Sequence, residues 1–356
     1  MEVDKNINKI LLGDTQYIQK YIKQNPRKIN KTNSCGLTYL MAACKVGNID
    51  IMNFLIKARA DLDMKDEDNK TAFDYAVECN KRDAVAFLIS KGININKQDL
   101  KGNTPLHTAV KKNYVDVVEV LLNGSANNIL QINQQNNNDE TPLYLASAHG
   151  HTEIVEHLLK QPDINVNIVD NDGDTALHFA CMKGHLETVE HLLKQSSINV
   201  NATNNDGETP IHLASAGGHT DILKHLLKKS GIDVCMVDKH GNTPLHRACI
   251  NGKPETFKLL LQQSGMVLYV ACANGHTDIV QHLLNKPGID INMENSDGDT
   301  ALHGACAKER TETVRLLLQH PGINNSKINK SGNTPLDLAV VSEQYDVVTL
   351  MLSQVS

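Results

Sequence analysis

One short pattern recurs along the chain and is clearest at Asp174-Thr175-Ala176-Leu177-His178-Phe179-Ala180. Each copy starts at a threonine or its counterpart, and an aliphatic or aromatic residue follows two positions later in most copies. The starts are separated by 33, 33, 37, 34, 34, 34, 23, 34 and 34 residues. A period near 33 indicates repeated units that become stable only by stacking. The ten starts are Thr38, Thr71, Thr104, Thr141, Thr175, Thr209, Thr243, Met266, Thr300 and Thr334.

The residues of one repeat predict two helices and a turn. Thr209 can cap a helix by accepting from free backbone N–H groups, and Pro210 suits the first helical position, which needs no N–H donor. Gly218 can end that helix in a left-handed conformation. Residues 152–160 carry an apolar stripe at helical spacing. The turn signal Asn205-Asp206-Gly207 then separates one repeat from the next.

The T-P-L-H-x-A pattern at this period resembles that of the ankyrin-repeat family, over nearly the whole chain. The resemblance implies an all-α solenoid of about ten helix-turn-helix repeats with short β-hairpin fingers. Residues 1–34 lack the threonine start and are expected to form an N-terminal helical cap. Repeats 1–7 are assigned to residues 35–263, and repeats 8–10 with a C-terminal cap to residues 264–356. A finger is expected to be missing near residues 262–266, where the period shortens to 23.

Composition narrows the class of partner. The formal net charge is −6 and the pI is about 6.2, which does not favour nucleic acid. No apolar run approaches the ~20 residues of a membrane span, and the first residues do not resemble a signal peptide. We therefore expect a monomer without membrane insertion, in the cytoplasm, or in a host cytoplasm if the chain is a secreted effector.

Catalytic and metal chemistry are not favoured by the residues. The histidines fall mostly into repeat positions, and members of one column are too far apart to share a metal ion. Five of eight cysteines directly follow the alanine of the repeated pattern, as small buried residues would. Phosphate-binding glycine loops and hydrolase or metalloprotease motifs are absent from the sequence. We expect no catalytic residues, no metal and no cofactor, hence no enzyme.

The resemblance implies a non-enzymatic scaffold that binds a protein partner in a concave groove formed by fingertips and inner helices. Two alternatives stay open: an ankyrin effector of an intracellular bacterium that binds a host protein, and the targeting domain of a larger enzyme. Carried over by repeat position, the partner-binding residues are Leu100, Lys101, Asn103, Glu140, Asn171, Asp172, Asp174, Phe179, Met182, Asn205, Asp206, Glu208, Lys239, His240 and Arg247.

Acidic residues recur in three successive fingers, at Glu140, Asp174 and Glu208, with Asp172 and Asp206 beside them. Two interpretations are open. In the first, the acids serve only as good turn formers and solubilising groups. Alternatively, they form an acidic stripe that steers a partner with a basic segment, an attraction that weakens as salt rises. In the second interpretation Phe179 and Met182 are the apolar anchors.

Overall fold

A computed structural model describes residues 2–124, 130–262, 264–285, 289–295 and 297–353. The longest helix in these ranges has 11 residues, about half of what a bilayer requires, and none of the helices described could cross a membrane. A 3-10 turn at Pro26–Lys28 follows the second α-helix. The α-helices are α1 (Glu2–Leu11), α2 (Thr15–Gln24), α3 (Tyr39–Val46), α4 (Ile49–Lys57), α5 (Ala72–Glu78), α6 (Arg82–Ile89), α7 (Pro105–Lys111), α8 (Val115–Leu122), α9 (Pro142–His149), α10 (Thr152–Leu159), α11 (Ala176–Lys183), α12 (Leu186–Leu193), α13 (Pro210–Gly217), α14 (Thr220–Leu227), α15 (Pro244–Ile250), α16 (Pro254–Gln262), α17 (Ser264–Asn274), α18 (Thr277–Leu284), α19 (Ala301–Ala307), α20 (Thr311–Leu318), α21 (Pro335–Val341) and α22 (Tyr345–Leu352).

Consecutive helices pack as pairs, and the chain divides into two compact units, Met1–Asn205 and Asp206–Ser356. In the first unit α1 packs on α3, and the first helices α3, α5, α7, α9 and α11 pack in series. In the second unit α13 packs on α15, while α17, α19 and α21 form a series. One terminal pair and ten further pairs confirm the predicted repeat fold and its number of repeats.

The first helix of most pairs begins at the predicted threonine. Thr175 illustrates the cap: its backbone N–H donates to Nδ1 of His178 at 3.1 Å, and its hydroxyl lies 2.8 Å from the same nitrogen. This capping box satisfies N–H groups that have no partner inside the helix. The helix ends at Gly184, whose φ of +79° is the left-handed conformation that glycine adopts without strain.

The fingers differ from the expected β-hairpins. The described residues contain no strand, and one isolated antiparallel bridge pairs Val169 with Thr175. The backbone N–H of Asp170 donates to the carbonyl of Asp174 at 3.0 Å. Among the described residues the fingers are thus tight turns, and a ladder of strand hydrogen bonds does not form beside them.

Asparagine side chains join neighbouring repeats on the arms between helix pairs. Nδ2 of Asn167 donates to the carbonyl of Ser197 at 2.7 Å, and its Oδ1 accepts from the backbone N–H of Asn199 at 2.9 Å. Asn133 and Asn292 make the same two bonds to the repeats that follow them. Each amide thus pairs one donor and one acceptor of the next repeat, because its side chain carries an N–H₂ donor and a carbonyl acceptor side by side.

Only residue 263 separates α16 from α17 in the chain. The expected loss of a finger near residues 262–266 falls partly outside the described residues, because residue 263 is not described. That loss remains a prediction, as do the boundaries placed after residues 34 and 263.

Candidate functional site

Each finger is organised by its first residue. In the finger 170–174, Oδ1 of Asp170 accepts from the backbone N–H groups of Asp172 at 3.0 Å and Asp174 at 2.8 Å. An Asx turn of this kind fixes the backbone and leaves the middle side chains outside it. Equivalent pairs of bonds are made by Asn33, Asp66, Asp99, Asn136, Asp238, Asn295 and Asn329.

Backbone hydrogen bonds also join successive fingertips within each unit. The N–H of Asn205 donates to the carbonyl of Asp172 at 2.8 Å, and that of Lys239 to the carbonyl of Asp206 at 2.9 Å. The N–H of Asn137 donates to the carbonyl of Lys101 at 3.0 Å. The tips are therefore held at fixed spacing, whatever their side chains are.

The residues predicted to bind a partner differ in their exposure. Half-buried members are Asn103, Glu140, Phe179, Met182 and Arg247, and buried members are Asp174 and Glu208. The exposed members, all on finger tips, are Leu100, Lys101, Asn171, Asp172, Asn205, Asp206, Lys239 and His240.

The burial of Asp174 and Glu208 corrects the idea of an exposed acidic stripe. Asp174 is 5% exposed and Glu208 is 8% exposed. Oδ1 of Asp174 accepts from Nδ2 of Asn204 at 2.9 Å, and Glu208 forms an ion pair with Arg247. A buried carboxylate is costly unless it is paired or hydrogen-bonded, so these two acids act inside the protein. Asp172 and Asp206 remain exposed at the tips.

In the first unit a concavity of about 470 Å³ opens between the fingers 136–140 and 170–174. Helices α9 and α11 form its floor, where the rings of Tyr144 and Phe179 lie 4.8 Å apart, centroid to centroid. Its size lies within the range of ligand pockets. The side chains that decide its character are Glu140, Tyr144, Asp170, Asp172, Phe179 and Lys183.

Tyr144 replaces the histidine of the repeated pattern and holds Asp170 in place. Its hydroxyl donates to Oδ2 of Asp170 at 2.6 Å. Burial, followed by this hydrogen bond to the carboxylate, raises the pKa of Tyr144 above its ordinary value, so the phenol remains a donor. Sequence analysis did not identify Tyr144 or Asp170. The available signal was the Asp or Asn that recurs five residues before each threonine.

A second concavity of about 460 Å³ lies between the fingers 66–70 and 99–103 of the same unit. It differs in charge, because Lys70, Lys101, Lys111 and Lys112 line it together with acids. Lys70 is paired with Glu78 at 2.9 Å. Leu100, on its rim, is 75% exposed.

In the second unit Arg247 pairs with acids of two successive fingers. Its guanidinium contacts Glu208, and its Nε lies 3.1 Å from Oδ2 of Asp238. Burial acts to raise the pKa of Asp238, but hydrogen bonds from Asn242 and from the backbone of His240 outweigh it and lower that pKa. Arg247 is therefore paired by charge with two buried acids of its own unit, although its Nε makes no hydrogen bond to the described residues.

The histidines of the repeated pattern connect one repeat to the next. Nδ1 of His107 accepts from the backbone N–H of Thr104 at 3.1 Å, which leaves Nε2 to donate to the carbonyl of Glu140 at 3.1 Å. His212 and His303 reach the carbonyls of Asn242 and Asn333 in the same way. Among the described residues no group of three His, Cys, Asp or Glu side chains is placed to hold a metal ion.

Family models fit this geometry. A model described as ankyrin repeats (3 copies) matches residues 9–99, 126–204, 197–267 and 268–356, and a model of ankyrin repeats (many copies) matches residues 88–133. The chain belongs to the ankyrin-repeat family. In ankyrin terms the two concavities lie between adjacent fingers, over the first helices of their repeats.

Ankyrin proteins of several kinds are similar to it. Putative ankyrin repeat protein FPV219 of Fowlpox virus is 44% identical over 52 residues, 15% of this chain and 12% of the relative. The RelA-associated inhibitor of Mus musculus is 30% identical over 102 residues, 29% of this chain and 12% of the relative. The chain thus spans about an eighth of the length of either. The crystal structure of the ankyrin repeat domain of Bcl-3, titled a unique member of the IkappaB protein family, superposes with a TM-score of 0.57 and 26% identity. The match covers 64% of this chain and 99% of that domain.

Proposed function

We propose that this ankyrin-repeat chain is a non-enzymatic scaffold that binds a protein partner through its fingertips and first helices. One observation carries the proposal: exposed side chains of different chemistry stand on finger backbones that the same pair of hydrogen bonds fixes in eight described fingers. Leu100 and Lys101 occupy the tip that Asn171 and Asp172 occupy two fingers later. Residues that vary while their support is rigid are suited to recognition, since little ordering entropy is lost on binding.

The two concavities of the first unit suggest the chemistry of the partner. The one beside Asp172 is lined by three carboxylates and a single ammonium group, whereas in the one beside Lys101 four lysines balance four carboxylates. A partner segment with a basic residue placed for the first concavity is therefore favoured. Electrostatic attraction of this kind raises the association rate and weakens as salt increases.

The relatives support a binding role by their names alone. One of them is an inhibitor associated with RelA, a protein partner, and that description is carried here only as a proposal. The hypotheses of a bacterial effector in a host cell, of the targeting domain of a larger enzyme, of a cytoplasmic location and of a monomeric state remain predictions.

Affinity capture tests the proposal. The full chain and a tip variant, Leu100→Ala with Asp172→Lys, would each be used to capture partners from the same extract, with quantitative mass spectrometry. Both residues are exposed, so we expect an unchanged fold, checked by circular dichroism. The partner should be depleted at least about tenfold with the variant, since two contacts of about 1 kcal/mol or more are lost.

The matched control is Glu187→Lys, an equal change of charge at an exposed position of α12. It should capture the partner as the unchanged chain does. Equal recovery of every captured protein by all three chains would overturn the proposal, because it would show that the fingertips take no part in binding.

A further inference from the structure

Two positions of the repeat can be compared directly, one in each unit. Phe179 and Arg247 each stand four residues after the threonine of their repeat. Asp170 and Asp238 each begin the finger that precedes that threonine, five residues before it. Glu140 and Glu208 each end the finger before that one. The two sets thus have identical places in the repeat and differ at the residue on the first helix.

In the second unit an arginine stands beside the two acids. The guanidinium of Arg247 contacts Glu208 and lies 3.1 Å from Asp238, and both acids are buried, at 8% and 4% exposure. When an arginine stands on the helix, its guanidinium thus lies beside both carboxylates as an ion pair, without a hydrogen bond from Nε to any residue that the structure describes. A guanidinium is suited to this position because its planar fork can contact two carboxylates at once.

In the first unit the same place is an open concavity. Glu140 and Asp170 are half-buried beside it, and Phe179 supplies an aromatic face where Arg247 supplies a cation. Nδ2 of Asn136 holds Oε2 of Glu140 at 2.8 Å, and the Tyr144 hydroxyl holds Oδ2 of Asp170 at 2.6 Å. The carboxylates are thus positioned by their neighbours. Oδ1 of Asp170 is already used by the Asp172 and Asp174 backbone N–H groups, whereas Oδ2 of Asp170 and Oε2 of Glu140 each keep further acceptor capacity.

We propose that this concavity binds an arginine side chain of the protein partner, with its guanidinium between Glu140 and Asp170 and against the ring of Phe179. This inference rests on the proposed function and names the chemistry of one of its sites. Arginine is favoured over lysine for two reasons: the second unit uses a guanidinium, and a guanidinium stacks on aromatic faces. With Lys183 on the rim, the three lining carboxylates and the one ammonium group give the concavity a formal net charge of −2.

A defined peptide tests the site without knowledge of the partner. The probe is acetylated Gly-Ser-Arg-Ser-Gly amide, and its control replaces arginine by citrulline, which has nearly the same shape and no charge. Leucine methyl NMR of the full chain would follow Leu145, which lines the concavity. We expect a saturable shift of Leu145 with the arginine peptide and affinity at least about tenfold weaker with the citrulline peptide, because charge-assisted hydrogen bonds are lost.

Exchanging the two helix residues provides the strictest controls. Phe179→Arg should fill the concavity from within and abolish the shift of Leu145. Arg247→Phe should open the corresponding place in the second unit, so that Leu213, which holds the position of Leu145 in its repeat, responds to the peptide. If Arg247→Phe fails to fold, Asp170→Asn still decides the question in the first unit. Asparagine already begins the finger 136–140, so this variant should fold and bind the arginine peptide about tenfold more weakly.

Equal binding of the arginine and citrulline peptides, or a Leu145 shift that survives Phe179→Arg, would overturn the arginine site. Either result would leave the scaffold function intact, because that function depends on whether tip variants lose the captured partner. The opposite outcome is also distinguishable. If the tip variants capture every protein normally while the arginine peptide still shifts Leu145, the arginine site stands and the scaffold function does not.

Discussion

Helices α9 and α15 have the same place in their repeats but different surroundings. In α9, Ser147 is fully buried, and in α15 its counterpart Cys249 is exposed. The residues that follow them differ as well, since Ile250 is 65% exposed whereas Ala148 is half-buried. The pair that contains α9 is followed by an arm and the finger 170–174, and α11 packs on α9. The pair that contains α15 is followed after one residue by α17.

The difference shows what the finger contributes to stacking. A finger brings the carbonyl that the pattern histidine needs, as Glu140 does for His107, and its tip bonds to the backbone of the tip before it. These contacts place the next first helix over the previous one. In α9, where a finger follows the helix pair, the Ser147 position is buried.

The largest expected effect concerns the leucine in the first turn of each helix. Leu143 in α9 is 1% exposed, and its counterpart Leu245 in α15 is half-buried. Leu143→Ala should lower the free energy of unfolding by about 3 kcal/mol, and Leu245→Ala by about half as much, since less contact area is lost. Urea unfolding followed by circular dichroism measures both. Equal losses would show that the two junctions are packed alike.

Thiol labelling gives the next largest effect. A maleimide should modify Cys249 in the native chain at least about 100-fold faster than Cys181, which is fully buried and must await a local opening of about 3 kcal/mol. Burial also raises the pKa of the Cys181 thiol, which further lowers its thiolate fraction. Timed labelling and peptide mass spectrometry compare the two sites, with exposed Cys35 as the reference. Labelling of Cys249 as slow as that of Cys181 would contradict the exposure of Cys249 on α15.

The smallest effect concerns the histidines that connect repeats. Burial lowers the pKa of His107 and His212, against the opposing effect of the carbonyls they bond. Below a pH of about 6.5 the unfolded chain binds more protons at these residues than the folded chain. Stability should therefore fall as the pH drops from 7 towards 5, by at most about 1.4 kcal/mol per histidine for each pH unit.

Urea unfolding at several pH values measures this slope. The double variant His107→Asn and His212→Asn keeps a side-chain acceptor for the cap and removes both titrating groups. Its slope should be smaller than that of the unchanged chain, and an identical slope would assign the pH dependence to other residues.

The regular parts of the fold were predictable because they depend on residues close together in the chain. Thr175 caps its own helix and Gly184 ends it, so the pattern alone located the helix. Residues 1–34 also carried enough apolar spacing to indicate the two helices α1 and α2.

The site was less predictable because its contacts join residues of different fingers and helices, up to 39 positions apart in the chain. The ion pairs of Arg247 with Glu208 and Asp238, and the bond from Tyr144 to Asp170, cross from one repeat to the next. Position in the repeat indicated which residues lie near the groove, but not which of them are already paired. A search for opposite charges at equal repeat offsets would have found the Arg247 set.

The asparagines of the arms have a consequence for the ageing of the protein. Hydrolysis of the Asn167 amide to a carboxylate would place an acceptor against the Ser197 carbonyl, where Nδ2 now donates. Each such amide joins only two neighbouring repeats, so chemical damage at one of them would loosen a single junction and spare the rest. The chain would then lose stability locally and in steps, without a general collapse of its stacked helices.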